Sequence, residues 1–234
     1  MGKTSTNKKW LNVAAAVLAV VVVFLLGYML ASVLGSNQAT EQQPEQQESP
    51  LAKLARRAPD DPLALGKPDA PVVMLNYSDY RCPFCAKFSR DIEPGLIKRY
   101  VDSGVLRIEW RDFPIFGEES LQGAKAGRAA AAQGKFWQYQ AAIYQEAPEN
   151  GHPSLPHDKL LDYAKKVGIT DIPKFESDMN DPATMSAIRA DVSEGSEIGV
   201  SSTPTFLING EPILGAQPAD QFESAIEQAK AAAK

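Results

Sequence analysis

Cys82 and Cys85 are the only thiols of this 234-residue chain, and two residues, Pro83 and Phe84, separate them. A helix that begins at the first cysteine places both sulfurs on its opening turn, where they can form and break a disulfide. A disulfide across so short a loop removes little entropy from the unfolded chain, so a purely structural role would contribute little. The spacing therefore predicts a redox pair, with Cys82 as the exposed nucleophile and Cys85 as the more buried resolving thiol.

A zinc site is the alternative use of these thiols, with His152 and His157 as the remaining ligands. Sixty-six residues separate Cys85 from His152, far more than a zinc finger contains. Both histidines lie next to prolines, in a segment with the composition of a loop. We therefore predict no metal and no cofactor.

The elements around the cysteines predict a β-α-β unit. The apolar run Pro71–Ser78 indicates a buried strand that ends just before the cysteines. Pro83 suits the first turn of a helix, whose apolar spacing continues to Gly104 with a kink expected at Pro94. Val105–Phe113 then alternates as a second strand, and the length of the helical connection favours parallel pairing.

The rest of the chain predicts a helical insertion followed by a hairpin and a final helix. Four segments between about residues 117 and 199 have helical periodicity: Ser120–Gly134, Lys135–Glu146, His157–Val167 and Pro182–Ile198. An Asn-Gly pair then separates two strand-like runs, Thr205–Ile208 and Glu211–Leu214, which is a strong hairpin signal. Ala219–Ala233 closes the chain as an amphipathic helix.

The N-terminus predicts a membrane anchor. Residues 10–35 carry no charged side chain and are long enough, as a helix, to cross a bilayer core of ~30 Å. Lysines precede this run, within a cytoplasmic N-terminus of residues 1–9, and the first charges after it are acidic, which places the C-terminal body outside the cell membrane. A cleaved signal peptide is the alternative, but its apolar core would be shorter.

Residues 36–62 predict a flexible linker, because they are rich in Gln, Glu and Pro and poor in apolar residues up to residue 50. Within them, Leu51–Ala58 has the pattern of two amphipathic helical turns that lie against the membrane or the domain. Residues 63–234 are long enough for one domain with its own core. Residues 36–234 carry a net charge of −8, so nucleic acid is an unfavourable partner.

Three motifs resemble the DsbA-like branch of the thioredoxin superfamily. They are Asp79–Cys85 after an apolar strand, Gly134–Trp137 in the insertion, and Gly199–Phe206 before the hairpin. The similarity runs from about Leu63 to the C-terminus and implies an α/β thioredoxin fold with a helical insertion. The apolar run 10–35 adds one transmembrane helix before this domain. With the anchor, the chain resembles membrane-tethered DsbA-like oxidoreductases.

The resemblance implies a reaction and its partners. Cys82 and Cys85 would introduce disulfides into unfolded exported proteins, and a membrane protein, VKOR-like or DsbB-like, would reoxidise them. Thr203 and Pro204 would form a cis-proline loop that binds the substrate beside the sulfurs. The free N side of a proline that opens a strand fits such a role, because an extended substrate can pair there.

The direction of exchange stays open at this point. Strong oxidases of this family commonly carry His before the second cysteine, whereas Phe84 supplies no positive charge, so Pro83 and Phe84 are the expected redox-tuning residues. The Thr before Pro204 also occurs in isomerases and reductases of the superfamily. An isomerase or reductase is therefore one alternative, and a non-enzymatic tethered adaptor or chaperone is another.

Two weaker candidates concern side chains near the cysteines. Four phenylalanines are candidates for an apolar substrate groove, although core packing is the favoured role for most of them: Phe84, Phe88, Phe113 and Phe116. Glu109 and Asp112 flank Trp110 on the second strand. We expect them to be solvated, with a buried proton relay near Cys85 as the alternative.

Overall fold

The structure is a computed structural model, and it describes residues 22–26, 28–29 and 49–233. The chain divides into two compact units, Met1–Gln46 and Gln47–Lys234. In the first unit, residues 22–26 and 28–29 are helical. They belong to the predicted anchor 10–35, whose other residues lie outside the described ranges. Among the residues that the structure describes, no helix is long and apolar enough to cross a membrane.

The second unit is built on a five-stranded mixed sheet of order β1-β3-β2-β4-β5. Its strands are β1 (Ala64–Leu65), β2 (Val72–Ser78), β3 (Leu106–Asp112), β4 (Thr205–Ile208) and β5 (Glu211–Leu214). Strands β2 and β3 are parallel, as predicted, and the other neighbouring pairs are antiparallel. The turn between β4 and β5 is made by Asn209 and Gly210, both at positive φ (46° and 88°), which is the conformation that an Asn-Gly hairpin requires.

The described part of the second unit also contains eight α-helices. They are α1 (Pro83–Asp91), α2 (Glu93–Leu96), α3 (Glu118–Ala131), α4 (Phe136–Glu146), α5 (His157–Lys166), α6 (Ile172–Met179), α7 (Pro182–Glu197) and α8 (Ala219–Ala232). A π-helical turn, Ile97–Val101, follows α2. The predicted kink is a break at Ile92, so Pro94 lies in the first turn of α2, where it displaces no helical hydrogen bond.

Two elements of the domain were not predicted. Strand β1 has only two residues, too few to show a period. Helix α6 has a recognisable start: the Asp171 side chain accepts a hydrogen bond from the Lys174 N–H at 2.9 Å, and Pro173 lies in the first turn. An Asp followed two residues later by Pro is a sequence signal that could have located this helix.

Strand β2 forms the centre of the domain, and all seven of its residues are buried. Phe88 of α1 and Phe222 of α8 cover one face of the sheet, with ring centroids 5.2 Å apart. The opposite face is packed by residues of α7, the loop after it and the segment before β1: Val192, Ile198, Val200, Leu51, Leu54 and Ala55. Burial on both faces explains why β2 reads as a continuous apolar run.

Residues 49–58 form what we call the N-terminal strap, which includes a 3-10 helix at Pro50–Leu54. The Ser49 hydroxyl donates to the Gly210 carbonyl at 3.2 Å, and the Arg57 guanidinium donates to the Ala70 carbonyl at 2.7 Å. These residues fall within the predicted linker 36–62, in which the pattern of Leu51–Ala58 predicts helical turns against the membrane or the domain. The structure places this segment on the sheet of the domain, so it is not a free linker. Leu51 and Leu54 supply apolar contacts there, and the backbone of the strap supplies hydrogen-bond donors.

Candidate functional site

The redox motif lies at the carboxyl end of the central strand. A short loop follows β2, and Cys82 is the N-cap residue of α1, with extended backbone angles (φ −77°, ψ 120°). Pro83 occupies the first helical position, where its missing N–H has no partner to lose. Cys85 follows one turn later, so the two thiols share the first turn of α1.

Both cysteines are free thiols, and both are buried, with 1% of each residue exposed. The prediction of an exposed Cys82 is therefore wrong in this structure. The loop before β4 covers it, since the Cys82 thiol donates a hydrogen bond to the Thr203 carbonyl at 3.1 Å. Sequence reasoning missed this cover because it comes from a segment 121 residues further along the chain.

The surroundings shift the pKa values of the two thiols in opposite directions. A hydrogen bond from the Cys85 thiol is the main cause that lowers the pKa of Cys82 to about 6, against the opposing effect of burial. Backbone N–H groups of Phe84 and Cys85, at the N-terminus of α1, also donate to the Cys82 sulfur. Burial and the neighbouring Cys82 raise the pKa of Cys85 far above its ordinary value. The site thus favours a thiolate at Cys82 and a thiol at Cys85.

The Thr203–Pro204 peptide bond is cis, as the resemblance implies. The Pro204 carbonyl accepts a hydrogen bond from Gly215 N–H at 2.8 Å, which ties this loop to the end of β5. Thr203 and Pro204 are both buried beside the Cys82 sulfur. The structure therefore brings together Cys82, Cys85 and the Thr203–Pro204 loop.

The four phenylalanines do not share one groove. Phe84 is 60% exposed, whereas Phe88 and Phe113 are buried in separate parts of the core. Phe116 is partly buried and its ring lies against His152, with centroids 4.1 Å apart. Phe84 is thus the member of the set that presents a large apolar surface next to the cysteines.

Glu109 and Asp112 are buried, so the prediction of solvated charges is wrong. The Asp112 carboxylate accepts hydrogen bonds from the Trp110 indole at 2.8 Å and from Arg128 at 2.6 Å. Burial nevertheless raises the pKa of Asp112 to about 6. The partner Arg128 lies on α3 of the insertion, and its contact with Asp112 has no signal in the local sequence.

Glu109 joins the sheet to the N-terminal strap. Its carboxylate accepts hydrogen bonds from the side chains of Arg107 at 2.9 Å and Arg111 at 3.0 Å. It also accepts from the backbone N–H groups of Arg56 at 3.0 Å and Arg57 at 2.8 Å. Burial would raise the pKa of Glu109, but the hydrogen bond from Arg107 and those from the strap hold it below its usual value. Glu109 therefore serves as a structural anchor for the strap.

The two histidines considered as zinc ligands contact other groups. The imidazole of His152 lies 2.9 Å from the Arg81 carbonyl, and that of His157 lies 3.0 Å from a Glu176 carboxylate oxygen. Among the described residues, no group of three or more His, Cys, Asp or Glu side chains is placed to hold a metal ion.

A comparison with curated proteins finds relatives that are named as disulfide bond formation proteins. The chain is 29% identical over 168 residues to the probable disulfide bond formation protein D of Bacillus cereus, a match that covers 70% of this chain and 77% of that protein. It is 25% identical over 166 residues to the disulfide bond formation protein D of Bacillus subtilis, covering 70% of this chain and 75% of that protein.

A solved structure and a family model agree on the fold. Oxidised BdbD from Bacillus subtilis matches with a TM-score of 0.67 at 23% identity, and the match covers 72% of this chain and 92% of that chain. The family model described as "Thioredoxin" matches residues 58–228, which contain both cysteines and the Thr203–Pro204 loop. The chain therefore belongs to the thioredoxin family.

Proposed function

We propose that this protein is a thiol-disulfide oxidoreductase that introduces disulfide bonds into exported proteins through Cys82 and Cys85. The observation that carries the proposal is the opposite shift of the two thiols, with a lowered pKa at Cys82 and a raised pKa at Cys85. The names of the Bacillus relatives support the same activity. A stabilised Cys82 thiolate favours the reduced protein, and this makes the disulfide form a better oxidant.

The exchange proceeds in two displacements. A substrate thiolate attacks the Cys82 sulfur of the disulfide form; the Cys82–Cys85 bond breaks, and Cys85 leaves as a thiolate that takes up a proton. A second substrate thiolate then attacks the substrate sulfur of the mixed disulfide and expels Cys82. The substrate loses two electrons and gains a disulfide, and the enzyme is left as a dithiol with Cys82 ionised.

Thr203 and Pro204 are the proposed substrate-binding residues. Their loop lies against the Cys82 sulfur, so a segment joined to that sulfur must pass beside it. Pro83 and Phe84 are the proposed tuning residues, because they begin the helix whose N–H groups donate to the thiolate. Phe84 adds no charge, so the oxidising power rests on those backbone donors and on Cys85.

The proposed setting is extracytoplasmic, with residues 10–35 as a single-pass anchor and residues 1–9 in the cytoplasm. The absence of charge from residues 10–35 supports this placement, as do the lysines before them. A reduced enzyme needs an external oxidant, and we propose a membrane protein of VKOR-like or DsbB-like chemistry.

A trapping experiment tests the reaction. A Cys85→Ala variant cannot form the Cys82–Cys85 disulfide, but its Cys82 thiolate can attack a disulfide already present in an exported protein and expel one of the two sulfurs as a thiolate. No resolving thiol is present to release the resulting mixed disulfide, so these adducts should accumulate in cells. Cys82→Ala is the matched control and should trap none. Equal amounts in the two variants would favour the non-enzymatic adaptor.

The reduction potential of the pair separates an oxidase from a reductase. Equilibration with glutathione buffers gives this potential directly. A value near the roughly −120 mV typical of DsbA supports an oxidase, and a value near the roughly −270 mV of thioredoxin supports a reductase.

A further inference from the structure

The peptide group that joins Arg81 to Cys82 is held on both sides. Its N–H, from Cys82, donates to the Asp79 carbonyl at 3.0 Å. Its carbonyl, from Arg81, lies 2.9 Å from Nδ1 of His152. A carbonyl oxygen can only accept, so the Nδ1 atom of His152 carries the hydrogen in this contact. A side chain from the insertion thus fixes the backbone immediately before the nucleophilic cysteine.

The ring of His152 is itself held in place. It lies against the ring of Phe116, with centroids 4.1 Å apart and planes tilted by 35°. The next residue, Pro153, accepts a hydrogen bond from Nε of Arg81 at 2.8 Å. Two consecutive residues of the loop between α4 and α5 therefore contact Arg81, one at its carbonyl and one at its side chain.

Asp79 and Phe116 also form hydrogen bonds with Arg81 and with each other. The Asp79 carboxylate accepts from the N–H of Arg81 at 2.7 Å and from the N–H of Phe116 at 3.2 Å. The Phe116 carbonyl accepts from the Arg81 guanidinium at 2.7 Å. Both backbone polar groups of Arg81 are therefore occupied, and the imidazole of His152 is the contact that holds its carbonyl.

We propose that His152 is a positioning residue for thiol exchange at Cys82. The inference deepens the proposed function and rests on the same site. By holding the Arg81 carbonyl, His152 keeps the Cys82 backbone in the extended N-cap conformation from which the sulfur reaches the N–H groups of α1. Loss of this hydrogen bond leaves the peptide group held only at its N–H, by the Asp79 carbonyl. The group can then tilt about that contact, and the thiolate loses part of its donor set.

Three substitutions separate the hydrogen bond from simple packing. In His152→Asn, the side-chain amide nitrogen takes the place of Nδ1 and can donate to the Arg81 carbonyl. In His152→Gln, the amide lies one carbon further from the backbone, and in His152→Leu there is no donor. His157→Leu is the control, because it removes the other imidazole of the chain, on α5, where it contacts Glu176.

A separate thermal unfolding curve first establishes that each variant is folded. The readout is then the thiolate absorbance of the full reduced chain at 240 nm as a function of pH. We expect the Cys82 pKa to rise in His152→Leu and His152→Gln and to stay at the wild-type value in His152→Asn and His157→Leu. At a pH below the wild-type Cys82 pKa, exchange with a small disulfide should slow about threefold in the first two variants, since only the thiolate reacts.

An unchanged Cys82 pKa in a folded His152→Leu would overturn the proposal, as would a rise of equal size in His152→Asn and His152→Leu. If His152→Leu does not fold, the comparison of His152→Asn with His152→Gln decides the matter in the same way. These outcomes concern the Cys82 sulfur alone. A wild-type protein that fails to oxidise substrate thiols would instead refute the proposed function.

Discussion

The thiol of Cys82 and the carbonyl oxygen of Thr203 lie 3.1 Å apart, although the two residues are 121 positions apart in the sequence. A thiol can donate to this oxygen, but a thiolate or a disulfide sulfur cannot. Thr203 therefore loses a hydrogen-bond donor whenever Cys82 ionises or forms a mixed disulfide. This change supports the proposed role of Thr203 in substrate binding, because a free carbonyl can pair with the backbone N–H of an extended peptide.

The first prediction concerns the ionisation of the two thiols. The reduced protein should show a thiolate absorbance step near pH 6, because the Cys82 pKa is lowered to about 6, whereas Cys85 should not ionise in this range. A small alkylating reagent at the same pH should modify Cys82 before Cys85. The absorbance step should disappear in Cys82→Ser, and its persistence there would remove the assignment of Cys82 as nucleophile.

A second prediction concerns the residue before Cys85. Phe84 is 60% exposed, so His fits at this position without disturbing the core. A cationic or hydrogen-bonding side chain there stabilises the Cys82 thiolate, and one pKa unit is worth about 1.36 kcal/mol. Phe84→His should therefore raise the reduction potential, by up to about 30 mV for each unit by which the Cys82 pKa falls.

Glutathione equilibrium and the 240 nm titration measure both quantities for Phe84→His. Phe84→Leu is the matched control, since it keeps an apolar side chain and should leave the potential close to wild type. If the His variant behaves like the Leu variant, the residue at this position does not set the redox poise.

The third prediction tests whether the N-terminal strap is part of the folded domain. Removal of residues 1–58 takes away two backbone donors to Glu109 and the apolar cover supplied by Leu51 and Leu54. These losses together should cost about 2–4 kcal/mol of unfolding free energy, which lowers the melting temperature by about 5–15 °C for a domain of this size.

The matched control for the strap is a chain that lacks residues 1–48 and keeps the strap. Thermal unfolding of the two truncated proteins gives the difference directly. Equal melting temperatures would show that the strap contributes nothing to stability and that the folded domain begins after it.

The fourth prediction uses Glu93, a buried residue of α2. Its carboxylate accepts a hydrogen bond from the Ser89 hydroxyl at 2.9 Å and from the Gln140 amide at 3.4 Å, and no cation contacts it in the described residues. Burial raises the pKa of Glu93 to about 7. The folded state therefore holds a proton on Glu93 at pH values where the unfolded chain, with an ordinary Glu pKa near 4.3, does not.

Because its folded pKa is raised, Glu93 should make the protein less stable as pH rises from about 4.5 to about 7, by at most about 1.4 kcal/mol per pH unit. Glu93→Gln keeps the shape of the neutral acid and removes this dependence. Urea unfolding measures the unfolding free energy of both proteins at pH 5 and pH 8. The value for the variant, relative to that of the wild type, should be higher at pH 8 than at pH 5. A difference that does not change with pH would mean that Glu93 is ionised in the folded protein at both values.

Local sequence patterns determined the strand, the helix and the hairpin that position the site. The apolar run before the cysteines predicted strand β2, Pro83 marked the start of α1, and Asn209-Gly210 located the hairpin. The spacing of Cys82 and Cys85 predicted that they share one helical turn. These features depend on side-chain periodicity and on the backbone preferences of a few residue types, which are properties of short segments.

Tertiary structure decided which groups are buried and which charges are compensated. The burial of Cys82 depends on Thr203, the burial of Asp112 on Arg128 of the insertion, and that of Glu109 on the N-terminal strap. Each of these partners lies at least 16 residues away in sequence. A charged or polar side chain is buried at low cost only when hydrogen-bond partners replace its water, and no local pattern records partners that lie this far away.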